Sequence, residues 1–131
     1  MAENKLADLS TEFAIQILKL TENIKGHYSL SNQLERSGTS IGANIREAKY
    51  AHSRPDFIAK LQIALKECYE TEYWIEIAQK QIFAKNAHIL HQHCKGEYEM
   101  NLADLYNELH SISITLTTNL RALKYLRIRR N

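Results

Sequence analysis

Arg36, Ser40, Asn44 and Glu47 follow one another at steps of four, four and three residues, so a helix carries all of them on one face. Asp56, Lys60 and Glu67 repeat that spacing farther along the chain. Acids and bases on two facing helices can trade a proton and so act as a general acid–base pair. The same groups can instead hydrogen-bond across helices, or across subunits, and fix register. No pocket-forming loop or glycine-rich turn surrounds them in the sequence. We therefore read Arg36, Ser40, Asn44, Glu47 and Asp56 as an inter-helix or subunit polar network, and expect no catalytic residue among them.

Other routes to chemistry are thinner still. The chain holds no nucleophile elbow, Walker loop, dinucleotide fingerprint or HExxH helix. His88, His91, His93 and Cys94 cluster, but tetrahedral zinc needs about four ligands in fixed geometry. On a helix His88 and His91 share a face while His93 and Cys94 point elsewhere. We expect no metal and no cofactor. Tyr69, Tyr73 and Trp74 can stack on bases, although a tyrosine at the rim of a core is the commoner use. Preferring the stacking reading would need aromatics interleaved with Lys or Arg on one exposed face, and Lys66, Tyr69 and Tyr73 come nearest.

Arg121, Lys124, Arg127, Arg129 and Arg130 crowd the last eleven residues with no acid among them. Cations suit the negative end of a helix dipole, so a solvated helix end is the plain reading. The sharper one is a basic arm that meets phosphates. Over the whole chain 17 basic residues face 15 acidic ones, a net charge of +2. A monomer with that balance is a poor general binder of nucleic acid.

The elements that position these residues follow from composition and period. At 131 residues, 44% hydrophobic and 24% charged, the chain suits one globular domain over 1–131. One proline and four glycines are too few for a turn-rich β fold. No stretch approaches a membrane span, Met1 to Asp8 hold no apolar signal-peptide core, and two distant cysteines make no disulfide framework. We expect a cytoplasmic, all-α protein with no membrane partner.

Four segments show the helical period. Leu6, Leu9, Phe13, Ile17, Leu20 and Ile24 mark the first, which starts between Asn4 and Ser10 and ends at Gly26. Leu30, Leu34, Ser37, Ile41, Ile45 and Ala48 mark the second, whose seam is short of bulk. Gly38 and Gly42 each cost about 1 kcal/mol of helix propensity against alanine, so close packing must repay them. Ser53 caps the third, with Pro55 and Asp56 in its first turn. Phe57, Leu61, Ala64, Cys68 and Ile75 form its stripe, flanked by Ile58, Leu65 and Tyr69. That band is wider than one partner helix needs, which points to burial on two sides and to oligomerisation. Residues 80–96 form a connection of undefined course. Leu102, Leu105, Leu109, Ile112, Leu116 and Leu123 mark the fourth helix, and 121–131 a basic C-terminal tail. Short links make an antiparallel up-and-down four-helix bundle the natural architecture.

The string RSGTSIGANIREA (36–48), followed by SRPDFIAKLQIALKE (53–67), resembles the bacterial four-helix-bundle proteins related to the 23S rRNA intervening-sequence protein. The segment from Leu9 to Ser37 is similar to that family's first helix and loop, and the likeness covers roughly the first 76 residues. It implies a left-handed bundle that assembles as a ring, commonly a homopentamer. It also implies kinship with accessory proteins of diversity-generating retroelements, which bind nucleic acid and partner a reverse transcriptase. After Glu76 the chain departs from the family pattern through its histidine-rich stretch.

Two functions follow as expectations. The first is a non-enzymatic oligomeric module that binds structured RNA or an RNA–protein complex, with Arg121, Lys124, Arg127, Arg129 and Arg130 as contacts. Five copies of a +2 chain would gather about +10. The second is a protein-interaction scaffold that docks a partner such as a reverse transcriptase.

Overall fold

The computed structural model describes residues 2–83 and 102–130, with side chains over 5–80 and 103–124. It holds four α-helices: α1 (Ala2–Glu22), α2 (Tyr28–Lys49), α3 (Arg54–Ile77) and α4 (Leu102–Arg130). A π-helical segment, Ala78–Phe83, extends α3. No strand occurs among the described residues. Residues 80–83 of the connection expected at 80–96 are therefore helical, and its remainder lies outside the described residues. His88, His91, His93 and Cys94 lie outside the described residues. No described helix is long and apolar enough to cross a membrane.

Helix ends follow local chemistry. α1 starts at Ala2, ahead of the expected window, and stops at Glu22 rather than Gly26. Beyond it, Asn23 N–H donates to the Leu20 carbonyl and Ile24 N–H to that of Thr21, both at 3.1 Å. Gly26 then turns the chain with φ +83°, a conformation that other residues rarely adopt. At α3 the expected cap is present: Ser53 Oγ accepts from Asp56 N–H at 3.2 Å, and Pro55 stands in the first turn.

α1 lies against α2, α2 against α3, and α4 against both α3 and α1. Phe13, Ile17, Leu34, Ile41, Ile75 and Leu105 are fully buried in the shared core. Each such side chain stabilises the fold by about 1.5–3 kcal/mol relative to exposure. The small-residue seam of α2 fits close packing against α1. A Cβ on Gly38 would lie 2.9 Å from Ile17 Cγ1, and one on Gly42 would lie 3.2 Å from Ser10 Oγ. Both glycines thus exchange propensity for a close helix approach.

The wide apolar band of α3 has a simpler cause than the one expected. α3 packs between α2 and α4 of its own chain, so Phe57, Ile58 and Leu65 meet intramolecular neighbours beside the buried Leu61, Ala64 and Cys68. Band width alone does not require a second copy. Tyr69, expected at the edge of this band, stands out at 55% exposure. On α4 the seam through Leu105, Leu109, Ile112 and Leu116 is buried, Leu120 joins it, and Leu123 packs half-buried against the core.

Candidate nucleic-acid interface

α2 and α3 are tied by charge. Arg36 Nη2 meets Glu70 Oε1, and its Nη1 lies 3.4 Å from Glu67 Oε2. Trp74 Nε1 also donates to Glu70, at 3.4 Å. The hydrogen bond from Arg36 holds the Glu70 carboxyl below the usual carboxylate range. Burial pushes the neighbouring Glu67 the other way, with Arg36 only partly offsetting it. One guanidinium therefore serves two carboxylates unequally. One turn from the end of α2, Glu47 Oε2 accepts from Lys60 Nζ at 2.9 Å. Exposed bridges of this kind contribute about 0.2–1 kcal/mol, so their main effect is register.

Within the chain, no side chain-to-side chain hydrogen bond or ion pair joins any two of the five residues read as one network. Arg36 and Glu47 reach across to α3 by separate bridges. Ser40 Oγ donates to the Arg36 carbonyl at 2.6 Å, and Asn44 Nδ2 to the Ser40 carbonyl at 2.8 Å. Both hydrogen bonds stay inside α2, because short polar side chains on a helix reach their own preceding turn first. Asp56 also stays local: its Oδ2 lies 3.1 Å from His52 Nδ1 and 3.4 Å from the His52 N–H, at the start of α3. Helical spacing put these residues on shared faces, and side-chain length decided which of them bridge. Glu70 and Gln33, which also hold Arg36, escaped the sequence reading. The i+3 step from Glu67 to Glu70 was the signal that could have found the first of them.

Two features bear on catalysis. A cavity of about 290 Å³ opens at the bundle end where α2 finishes and α3 starts, lined by Leu6, Ile45, Phe57, Leu61 and Leu123, with Lys49 and Asn119 among its polar groups. Small side chains at Ala7, Ala48 and Ala122 leave that space, and no acid–base pair lines it. The buried Cys68 thiol is pushed up to about 12 by burial, with Glu67 and Glu72 adding to the effect. A thiol in that state is no nucleophile at neutral pH. Among the described residues no cluster of His, Cys, Asp and Glu is placed to hold a metal.

The basic C-terminal residues lie on regular helix, since α4 runs to Arg130. Arg121 and Lys124 are exposed and form no ion pair among the described residues; the side chains of Arg127, Arg129 and Arg130 lie outside them. Close by, Arg54 Nη2 donates to the Leu123 carbonyl at 3.3 Å and anchors the start of α3 to α4. At the other end of this helix pair, Tyr106 donates to Glu72 Oε1 at 2.6 Å. Two exposed cations near the end of a helix, with no acid paired to them among the described residues, can meet an anion.

Comparison with known proteins adds a lineage. Residues 2–116 match the family described as 23S rRNA-intervening sequence protein. The chain is also similar to a crystal structure of a protein with unknown function from the S23 ribosomal protein family of Bacteroides thetaiotaomicron. The two share 37% identity and a TM-score of 0.74, over 92% of this chain and 99% of that one. No curated protein matches the chain.

Proposed function

From the premise that the chain belongs to the 23S rRNA-intervening sequence protein family, we propose that it is a non-enzymatic, oligomeric module that binds structured RNA or an RNA–protein complex. The observation that carries this reading is the exposed, acid-free pair Arg121 and Lys124 on the helix that continues through Arg127, Arg129 and Arg130. A family named for ribosomal RNA supports RNA as the polyanion. The unreactive burial of Cys68 and the apolar lining of the end cavity support binding over catalysis.

The bundle in this reading is antiparallel and up-and-down. Its support is the order of cross-helix pairs, which run in opposite sequence directions: Arg36 with Glu70 and Glu47 with Lys60, then Arg54 with Leu123 and Glu72 with Tyr106. Copies assemble as a ring, a homopentamer by family resemblance, and the exposed Ile15, Leu18 and Ile63 supply apolar surface for it. Assembly turns a weak net charge into a concentrated one, gathering several basic helix ends in one particle.

Native mass spectrometry of protein purified at low salt, without nuclease, tests this. The expected result is a ring mass that carries extra nucleic-acid mass. A ring without nucleic acid would transfer the role to a protein scaffold, such as an accessory that docks a reverse transcriptase. Those same exposed apolar residues favour that second reading. A monomer would contradict both.

A further inference from the structure

The outward face between α3 and α4 is unlike the rest of the surface. On α3, Lys66, Tyr69 and Tyr73 follow at steps of three and four, all exposed, with each tyrosine 55% open to solvent. On α4, His110, Ile114 and Arg121 fall at steps of four and seven and are exposed as well. The Tyr106–Glu72 hydrogen bond brings the two helices together between these rows. Cys68, Glu72, Tyr106 and His110 share one shallow crevice there, and His110 stacks on Tyr106 at 6.5 Å between ring centroids.

Charge on this strip has one sign to spare. Glu76 is paired with Lys80 at 2.9 Å, while Glu72, which accepts from the neutral Tyr106 hydroxyl, keeps its negative charge and is outnumbered by the cations nearby. Lys66, Arg121 and Lys124 form no ion pair among the described residues. The strip thus sets two exposed rings beside cations that form no ion pair among the described residues, and it continues toward the basic end of α4. A two-fold contact with a second copy would bring like charges together, whereas a polyanion would be drawn in.

Resting on the RNA-binding reading above, we propose that Tyr69 and Tyr73 stack on unpaired bases of single-stranded RNA while Lys66, Arg121 and Lys124 hold its phosphates. Geometry selects unpaired RNA over duplex. Four residues of helix separate the two tyrosines by about 6 Å along its axis. Stacked bases in a duplex strand lie about 3.4 Å apart, and an A-form helix hides the faces of its bases. Two rings so spaced therefore receive bases that have left the stack, as single-strand binders do. The ligand is a loop, bulge or single-stranded end within a structured RNA.

Fluorescence anisotropy with labelled oligoadenylate, and with an RNA duplex, tests the proposal on the full chain. Native mass spectra of each variant accompany it. Tyr69→Phe/Tyr73→Phe should bind oligoadenylate as the wild type does. Tyr69→Ala/Tyr73→Ala should lose about tenfold or more, in line with the loss of two base–ring stacks, while its duplex binding and oligomeric mass stay unchanged. Lys66→Glu should weaken oligoadenylate binding and flatten its salt dependence, which gives a second readout should the alanine pair fold poorly. Unchanged oligoadenylate binding by the alanine pair, with wild-type RNA binding intact, would overturn this inference alone. So would a changed oligomeric mass, which would make the strip a subunit contact. Wild-type protein that binds neither RNA would overturn the RNA-binding reading with it.

Discussion

α3 makes two seams, and they use charge in opposite ways. Against α2 the charges face inward to one another: Arg36 serves Glu67 and Glu70, and Lys60 serves Glu47. Against α4 the seam carries hydrogen bonds from Tyr106 to Glu72 and from Arg54 to the Leu123 carbonyl but no ion pair among the described residues, and Lys66, Arg121 and Lys124 along its outer edge stay exposed. Charges already paired within a chain have little left for a partner. Unpaired charges beside exposed rings cost the fold nothing and remain available. The difference assigns structure to one seam and recognition to the other.

The largest effect expected concerns how tightly the α3–α4 seam closes beneath its open outer surface. Cys68, with its thiol pushed up to about 12, should react with iodoacetamide at pH 8 roughly a thousandfold slower than an exposed cysteine. Peptide mapping of the native protein reads this, and fast labelling of Cys68 would mean that the seam opens readily.

Next comes the close approach of α1 to α2. Gly38→Val places carbon where Ile17 already stands, 2.9 Å from the ideal Cβ, and should cost about 2–3 kcal/mol in urea unfolding. Thr118→Val, a change at an exposed position of α4, should stay within about 0.5 kcal/mol. Equal effects would erase the contrast between a packed region and an open face.

A smaller effect separates the two carboxylates on Arg36. Glu70 is held low, so its ionised form stabilises the fold above the usual carboxylate range, and that support fades as pH falls through its lowered value. Glu67 is raised by burial, so its ionised form works against the fold near neutral pH. Glu70→Gln should therefore lower stability at neutral pH by at most about 1 kcal/mol, and Glu67→Gln should leave it level or raise it. Thermal melts of both variants at neutral and acid pH check the opposed signs.

Much of this contrast was legible in the sequence, and the rest was hidden for physical reasons. Helical period placed all four helices, because one stripe of Leu and Ile per helix is what a bundle core demands. Gly38 and Gly42 announced a close approach, and Ser53 with Pro55 announced a helix start. Network membership was not legible, since period reports the face of a residue and not its reach: Ser40 and Asn44 turned back on α2 while Arg36 crossed to α3. The width of the α3 band misled for a related reason, because a band two neighbours wide is the same whether both belong to one chain or to two. The cavity beside Leu6 and Phe57 left no local signal, being made by three alanines on three different helices.

The central claim is that RNA is held by charge left unpaired on the α3–α4 side. The most direct measurement is the affinity of wild-type protein and of Arg121→Glu/Lys124→Glu for a structured RNA as salt is raised. The account predicts a steep linear fall of log affinity with log salt for the wild type. The variant should show a shallower slope and weaker binding at low salt, with an unchanged melting temperature. Binding that ignores salt, or a variant that binds as the wild type does, would contradict it.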